Sequence, residues 1–400
     1  MKKTFLFSSE AVTEGHPDRL CDTISDAIVD EFLRRDPYAR IVAECALSKS
    51  VVFLATRFAS DVVVDIPELA RSAISAVGYR KEDFDPVDCA VVTSLINMPL
   101  DQRAQADEQE LSNKELDSLT ARNEATVFGF ACIQTPELMP LPVSLANRLA
   151  RGLIDARRAR KVPHISPDCT VQVGVEYEDG KPARIHGITI IAGQEGAKAA
   201  DPVLMREALA GQVIEPVFAR EAIQPDESTE IFINPRGAFL KSGPASHSGM
   251  TGRKTASDTY GAYARHSGSA LSGKDPSRVD RIGAYAARYA AKNIVAARLA
   301  EECEVQLSYS IGHAGPVSVE VQTFGTGAVA DGALKKLLEQ HFDFRAGAVI
   351  RDFKLRHLPA KYPDGFYRKL PVHGHFGNKM VDLPWERTDK ADLLKAESGS

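Results

Sequence analysis

"TVQVGVEY" (residues 170–177), followed by "RIHGITIIAG" (184–193) and "DPVLMREALAGQVIEPVF" (201–218), is the stretch on which the fold turns. The first two parts alternate apolar and polar residues with the period of a half-buried strand; the third carries the three-to-four spacing of a helix opening at Asp201. The phrase recurs on both sides. Upstream, "RIVAECALSKSVVFLATRF" (40–58) and "SDVVVDI" (60–66) read as strands, ahead of a helix in "IPELARSAISAVGY" (66–79) with Ile66, Leu69, Ala70, Ile74 and Val77 on one face. Downstream, "EVQLSYSIG" (304–312) and "VSVEVQTFG" (317–325) precede "DGALKKLLEQHF" (331–342). The three helices open at Asp65, Asp201 and Asp331, residues suited to N-capping, at intervals of roughly 130 residues. The expectation is an α+β fold of three pseudo-threefold-related domains of sheet plus helices, at about 1–130, 131–240 and 241–400, with terminal segments able to exchange between them. Chance recurrence of a common strand-strand-helix phrase is the competing explanation.

Two further helices stand outside that phrase. One runs from Pro17 to about Arg35, with proline at its first position and Leu20, Ile24, Ala27, Ile28 and Leu33 facing inward. The other runs from Ser277 to about Glu302 and buries Val279, Ile282, Ala286, Tyr289, Ile294 and Ala297. Residues 97–126 form a polar insertion that reads as a mobile loop or lid.

With 400 residues, 44% of them hydrophobic, the chain can bury well-formed cores. A net charge of −5 and a pI near 6.1 argue against a general nucleic-acid binder. The dense basic run Arg157, Arg158, Arg160 and Lys161 reads as a solvated helix end, with an anionic partner as the alternative. Six single cysteines fit buried thiols in a reducing compartment, and no apolar run approaches a membrane span or a signal-peptide core, so the cytoplasm is expected.

"HSGSALSGKDPSRVDR" (266–281) contains G-x-x-x-x-G-K, yet Asp275 stands where a Walker loop needs a hydroxyl, and the residues before Gly268 do not read as a strand. A phosphate site of another kind survives. "SGPASHSGMTGRKT" (242–255) is a second glycine-rich loop, ending in Arg253 and Lys254, close upstream of Lys274. In "EGHPDRLCD" (14–22), His16 precedes a helix N-terminus that favours an anion, and Asp18 lies where it could hold a magnesium ion.

"SSEAVTEGHPDRLCDTISDAIVD" (8–30), "FINPRGAF" (232–239), "SGMTGRKTASDTYG" (248–261), "SGKDPSRVDR" (272–281), "AYAARYAAKNIVAA" (284–297), "GHFG" (374–377) and "PWERTDK" (384–390) resemble, in order, the signature stretches of the methionine adenosyltransferases, or S-adenosylmethionine synthetases. The resemblance implies three pseudo-symmetric α+β domains, a homodimer with interfacial active sites that can pair into a tetramer, and no nucleic-acid or membrane partner. It implies attack of a thioether sulfur on C5′ of ATP, departure of the whole triphosphate, and hydrolysis of that triphosphate to pyrophosphate and phosphate. His16, Arg253, Lys254 and Lys274 match the family's polyphosphate ligands, Asp18 and Asp280 its Mg2+ carboxylates, and Glu44 its K+ site. Phe239 matches the adenine-stacking residue, while Asp168 and Ala270 match other nucleotide contacts.

Where the sulfur substrate should sit, the sequence departs from the family. Arg57 replaces a glutamate, His247 an acidic residue that serves the amine, and Asn123 in "TARNEA" (120–125) an aspartate. "SLINMPLDQ" (94–102) offers no clear counterpart of the methionine-contacting glutamine. On the nucleotide side Thr170 replaces a lysine and Ala238 an arginine, whereas Arg278 keeps the positive charge that meets the methionine carboxylate. Losing carboxylates and gaining cations suits an anion better than an ammonium. The expected substrate is a methionine analogue lacking its amine or carrying an extra carboxylate; methionine itself, or a paralogue that only binds or cleaves triphosphate, are the alternatives.

Overall fold

The computed structural model describes residues 4–196, 199–379 and 381–399, and its strands form three sheets built on one plan. The first has the order β4-β3-β2-β9, with β2 Arg40–Ser48, β3 Val51–Ala59, β4 Ala90–Asn97 and β9 Gly249–Met250. The second has the order β1-β6-β7-β8, with β1 Thr4–Val12, β6 Ile165–Glu178, β7 Lys181–Gln194 and β8 Glu230–Ile233. The third joins β5 Ala125–Cys132, β10 Glu302–Tyr309 and β11 Ser318–Gln322 in the order β11-β10-β5. Each contains an antiparallel pair followed by a helix: α2 Ile66–Val77 after β3, α4 Pro202–Leu209 after β7, and α6 Asp331–His341 after β11. In the first two sheets the chain then returns as a parallel strand, β4 or β8.

The helices that seemed to stand apart belong to the same plan. α1 Pro17–Arg35, α3 Leu141–Arg158 and α5 Val279–Ala296 each precede one antiparallel pair. Before each of them lies a strand that joins the next unit's sheet rather than its own. β1 pairs with β6, β5 with β10, and β9 closes the cycle on β2. Sequence order therefore does not divide the molecule into separate sheets.

Alternating patterns fix which faces are buried. In the second sheet Val171, Val173 and Val175 and their neighbours Ile185, Ile188 and Ile190 are fully buried against Leu145, Leu149 and Leu153 of α3. Each such side chain contributes about 1.5–3 kcal/mol. α1 buries Leu20, Ile24, Ile28 and Phe32 in a larger core that spans the first and third sheets.

Several expectations need correction. Residues 60–65 form no strand, and Val63 is 86% exposed; the strand after β3 is β4, which lies beyond α2. Three apolar residues in a row mimicked a strand without a sheet edge to receive them. Asp65 and Asp201 cap their helices, but Asp331 is the first helical residue of α6 and takes a hydrogen bond from Thr323. α5 ends at Ala296, because the chain must turn before entering β10. Within the polar insertion, Glu108 is buried on Arg356, Asp107 meets His357, and Asp117 meets Arg345, contacts that its composition alone did not announce. In the basic run, Arg157 and Arg158 both bind Glu14, a structural clamp rather than an open anion site.

Candidate active site

α1 begins at His16, whose Nδ1 accepts from the Asp18 amide at 3.2 Å, with Pro17 in the first turn. Its sequence places Asp18, Asp22, Asp26 and Asp30 four residues apart, so one face of a mostly buried helix carries a buried carboxylate on every turn. Buried carboxylates need partners. They find them in chain that arrives from far away.

The glycine-rich loop at 242–255, first of the two along the chain, lies along this face. A Cβ on Gly249 would sit 2.2 Å from the Pro17 carbonyl oxygen, so only glycine lets β9 cross the first turn of α1 this closely. Met250 N then donates to Asp18 Oδ1 at 3.1 Å, and Gly252 N to Asp22 Oδ1 at 2.8 Å. The Thr251 hydroxyl lies 2.8 Å from that of Ser25 and accepts from Cys45 N at 2.9 Å. This seating carries Lys254 Nζ to 2.8 Å and Arg253 Nη1 to 3.6 Å from the Asp18 carboxylate. Burial pushes the Asp18 pKa up, but the Lys254 hydrogen bond and charge outweigh it and hold the carboxyl below its usual range. Burial lowers the His16 pKa to about 4, so its imidazole is neutral near pH 7.

The second loop is fixed one turn further along α1. Gly273 N donates to Asp26 Oδ1 at 2.8 Å, and at φ +77° Gly273 lies so close to β2 that a Cβ would be 2.0 Å from the Ala43 carbonyl oxygen. Asp275, at the Walker hydroxyl position, accepts from Ile41 N of β2 at 2.8 Å and from Ser277 N at 2.7 Å, so its carboxylate is spent tying the loop to β2 and to its own backbone. Lys274 Nζ donates to the Ala270 carbonyl at 2.6 Å and lies 3.8 Å from Asp280 Oδ1. Burial lowers the Lys274 pKa, against the pull of Asp280.

The residues singled out from sequence fall into two groups. Around the start of α1 lie His16, Asp18, Arg253 and Lys254, together with His247, whose ring is 4.8 Å from that of His16, and Asp168, which accepts from His247 Nε2 at 3.0 Å and Gly243 N at 2.6 Å. Around the start of α5 lie Lys274, Arg278, Asp280 and Asn123, with Asn123 Nδ2 donating to Asp280 Oδ2 at 2.9 Å and Arg278 Nε 3.9 Å from it. Ala270 packs against Gly252 between the two groups. Phe239 is half-buried where its backbone bridges Gly193 at the end of β7. Glu44 and Arg57 are exposed on the open face of the first sheet beside the second group: Arg57 lies opposite Val42, whose backbone bridges Lys274, and Glu44, opposite Ala55, is near enough to act on the Lys274 charge. Thr170 is half-buried in β6, and Ala238 is exposed. Sequence reasoning missed Asp22 and Asp26; their four-residue spacing along one helix was the available signal.

Two features bear on metal and substrate. Asn123 Oδ1 is buried without a hydrogen-bond partner beside Asp280, and an unspent amide oxygen next to a carboxylate is the hard donor set magnesium takes. A cavity of about 760 Å³, lined by Phe5, Gln134, Arg148, Tyr263 and Glu302 among others, contains none of these residues. No helix among the described residues is long and apolar enough to cross a membrane.

Family models for the N-terminal, central and C-terminal domains of S-adenosylmethionine synthetase match residues 4–99, 118–239 and 241–387. The chain is 45% identical over 411 residues to the S-adenosylmethionine synthase of Synechococcus sp. (strain JA-3-3Ab), covering 98% of each chain. It is also 45% identical to that of Synechococcus elongatus (strain ATCC 33912 / PCC 7942 / FACHB-805), covering 100% of this chain and 99% of the relative. With three domain models matched in order and this identity sustained from end to end, the chain belongs to the S-adenosylmethionine synthetase family.

Proposed function

We propose that this enzyme, a transferase of the methionine adenosyltransferase type, joins the sulfur of a thioether to C5′ of ATP and expels the triphosphate. The observation that carries the reading is the cluster of Arg253 and Lys254 on Asp18, beside His16 at the N-terminus of α1. The leaving triphosphate gains negative charge as the C5′–O bond breaks, and cations already held in place stabilise that charge without reorganising. His16, Arg253, Lys254 and Lys274 would contact the polyphosphate; Phe239, Asp168 and Ala270 would contact the nucleoside. Asp18 and Asp280 would hold Mg2+, and Glu44 K+; the ions supply further neutralisation of the phosphates.

A second copy of the chain completes the site in this reading. The open face of the first sheet exposes Val51, Phe53, Val92, Ile96 and Met250, each 44–52% accessible, beside Glu44 and Arg57. Such a contiguous apolar surface supports a homodimer with the site at its interface. All six cysteines are free and buried, which supports a reducing compartment such as the cytoplasm.

For the sulfur substrate, the side chains at the departed positions favour an anion. Of Arg57, Asn123, His247 and Arg278, none is acidic, and the carboxylates beside them are already engaged: Asp168 by His247 and Gly243 N, Asp280 by Asn123. A methionine analogue without its amine, or with an added carboxylate, meets fewer unpaired charges there. Methionine is the second reading, favoured by the 45% identity to relatives named S-adenosylmethionine synthase. Incubation with ATP, Mg2+, K+ and a panel of thioethers, read by mass spectrometry for sulfonium nucleosides, decides between them. Preference for amine-free or extra-carboxylate thioethers is expected. Methionine turnover at rates equal to or above these sinks the anion reading, and absence of any adenosyl product would indicate a paralogue limited to binding or cleaving triphosphate.

A further inference from the structure

We propose that His16, Asp168 and His247 form a binding site for a borderline divalent transition-metal ion such as Zn2+ or Co2+, separate from the magnesium carboxylates. One ligating atom from each residue lies within 4.8 Å of those of the other two. The three come from independently fixed pieces of chain. His16 caps α1 with its backbone amide on the Thr13 carbonyl; Asp168 lies in β6 and takes Gly243 N at 2.6 Å; His247 N donates to the Gly243 carbonyl at 3.2 Å. The same turn thus orients both the carboxylate and the second imidazole.

The spacing suits a small ion. Bonds of roughly 2.0–2.2 Å to a tetrahedral metal put neighbouring donors about 3.3–3.6 Å apart. His247 Nε2 and Asp168 Oδ2, at 3.0 Å, need only open slightly, and the His16 ring needs to swing inward by at most ~1.5 Å to reach that spacing. On binding, the ion takes the place of the proton between His247 Nε2 and Asp168, and the neutral His247 ring carries that proton on Nδ1 instead. Ligation through the far nitrogen of His16 moves its ring proton to Nδ1, which then has the Asp18 carboxylate, now 3.8 Å away, as acceptor in place of the amide it accepts from.

Two imidazoles and one carboxylate select the ion. Imidazole suits zinc, cobalt and nickel, whereas Mg2+ prefers oxygen donors and its own water. Asp168 and His16 are largely buried while His247 is partly exposed, so solvent reaches the cluster from the His247 side and can supply a fourth, exchangeable ligand. A consequence rests on the adenosyl-transfer reading: the ion and the triphosphate share His16, so each weakens binding of the other.

The test is a titration of the nucleotide-free protein with Co2+, followed through the visible absorption of the tetrahedral ion. The wild-type chain is expected to take up one Co2+ that excess Mg2+ does not displace. His247→Gln and Asp168→Asn should each weaken uptake by about tenfold or more, with unchanged circular dichroism showing that the fold is kept, while Asp280→Asn should bind cobalt as the wild type does. Wild-type affinity in folded His247→Gln, or displacement of cobalt by Mg2+, overturns the proposal. Because no nucleotide is present, failure to bind cobalt and failure to make an adenosyl product are separate outcomes.

Discussion

Asp26 Oδ1 accepts the backbone amide hydrogen of Gly273 at 2.8 Å, which anchors the residue before Lys274 to the buried face of α1. The same carboxylate takes Arg281 Nη2 at 2.6 and 2.7 Å, with both side chains fully buried. Asp26→Asn leaves Arg281 as an uncompensated buried charge, and removing one partner of such a pair costs about 3–5 kcal/mol. Urea unfolding measures it. A loss under about 1 kcal/mol would show that the pair does not anchor the loop.

Lys254 contributes little to the core but sits on Asp18 where the polyphosphate is proposed to bind. Lys254→Ala should lower kcat about a hundredfold to a thousandfold, the range for removing one preplaced electrostatic group, with a small change in Tm. A fall in activity matched by a fall in thermal stability would instead mark a structural lysine.

Arg57→Glu together with His247→Asp restores acidic groups at two departed positions. On the anion reading, the double variant should gain methionine use relative to amine-free analogues, read as the ratio of kcat/KM values. An unchanged ratio would mean that other residues set selectivity.

Phe53→Asp or Ile96→Asp places a charge on the apolar face of the first sheet without touching its buried side. Gel filtration should show monomer, and activity should fall with it. A monomeric variant of full activity would place the complete site within one chain.

Asp30 accepts from the amides of Tyr367 and Arg368 at 2.9 and 3.0 Å, yet burial dominates and raises its pKa to about 7. The folded state therefore binds more protons here than the unfolded chain between about pH 4 and 7. Stability should fall as pH rises through that window, with a slope of at most ~1.4 kcal/mol per pH unit from this group. Denaturant unfolding of Asp30→Asn should lack that component; an identical pH profile would assign the slope to other carboxylates.

What could be read in advance was local. The apolar spacing of "PDRLCDTISDAIVDEFLRR" gave α1 from Pro17 to Arg35, and alternation in "RIVAECALSKSVVFLATRF" gave β2 and β3. Both loops carrying Arg253, Lys254 and Lys274 were recognisable from glycines beside cations. β9 was not, because two residues pairing with β2 across a large separation leave no periodic trace. Of α3 only the basic end at Arg157 and Arg158 was read, because its charged residues, such as Arg148 and Arg157, obscured a buried stripe that includes Leu145, Leu149 and Leu153. The His16, Asp168 and His247 grouping depends on three distant segments meeting, and no spacing along the chain encodes it.

The cyclic hand-over of strands makes the architecture interlocked. A polypeptide stopped near residue 240 keeps His16 and Asp18 but lacks β9, so the first sheet loses an edge and the beginning of α1 loses the loop that crosses it. A carboxy-terminal fragment beginning there has β10 without β5 to pair with it. Neither portion is a self-sufficient building block, and the beginning of α1 receives its covering loop only after the third unit of the polypeptide has been synthesised.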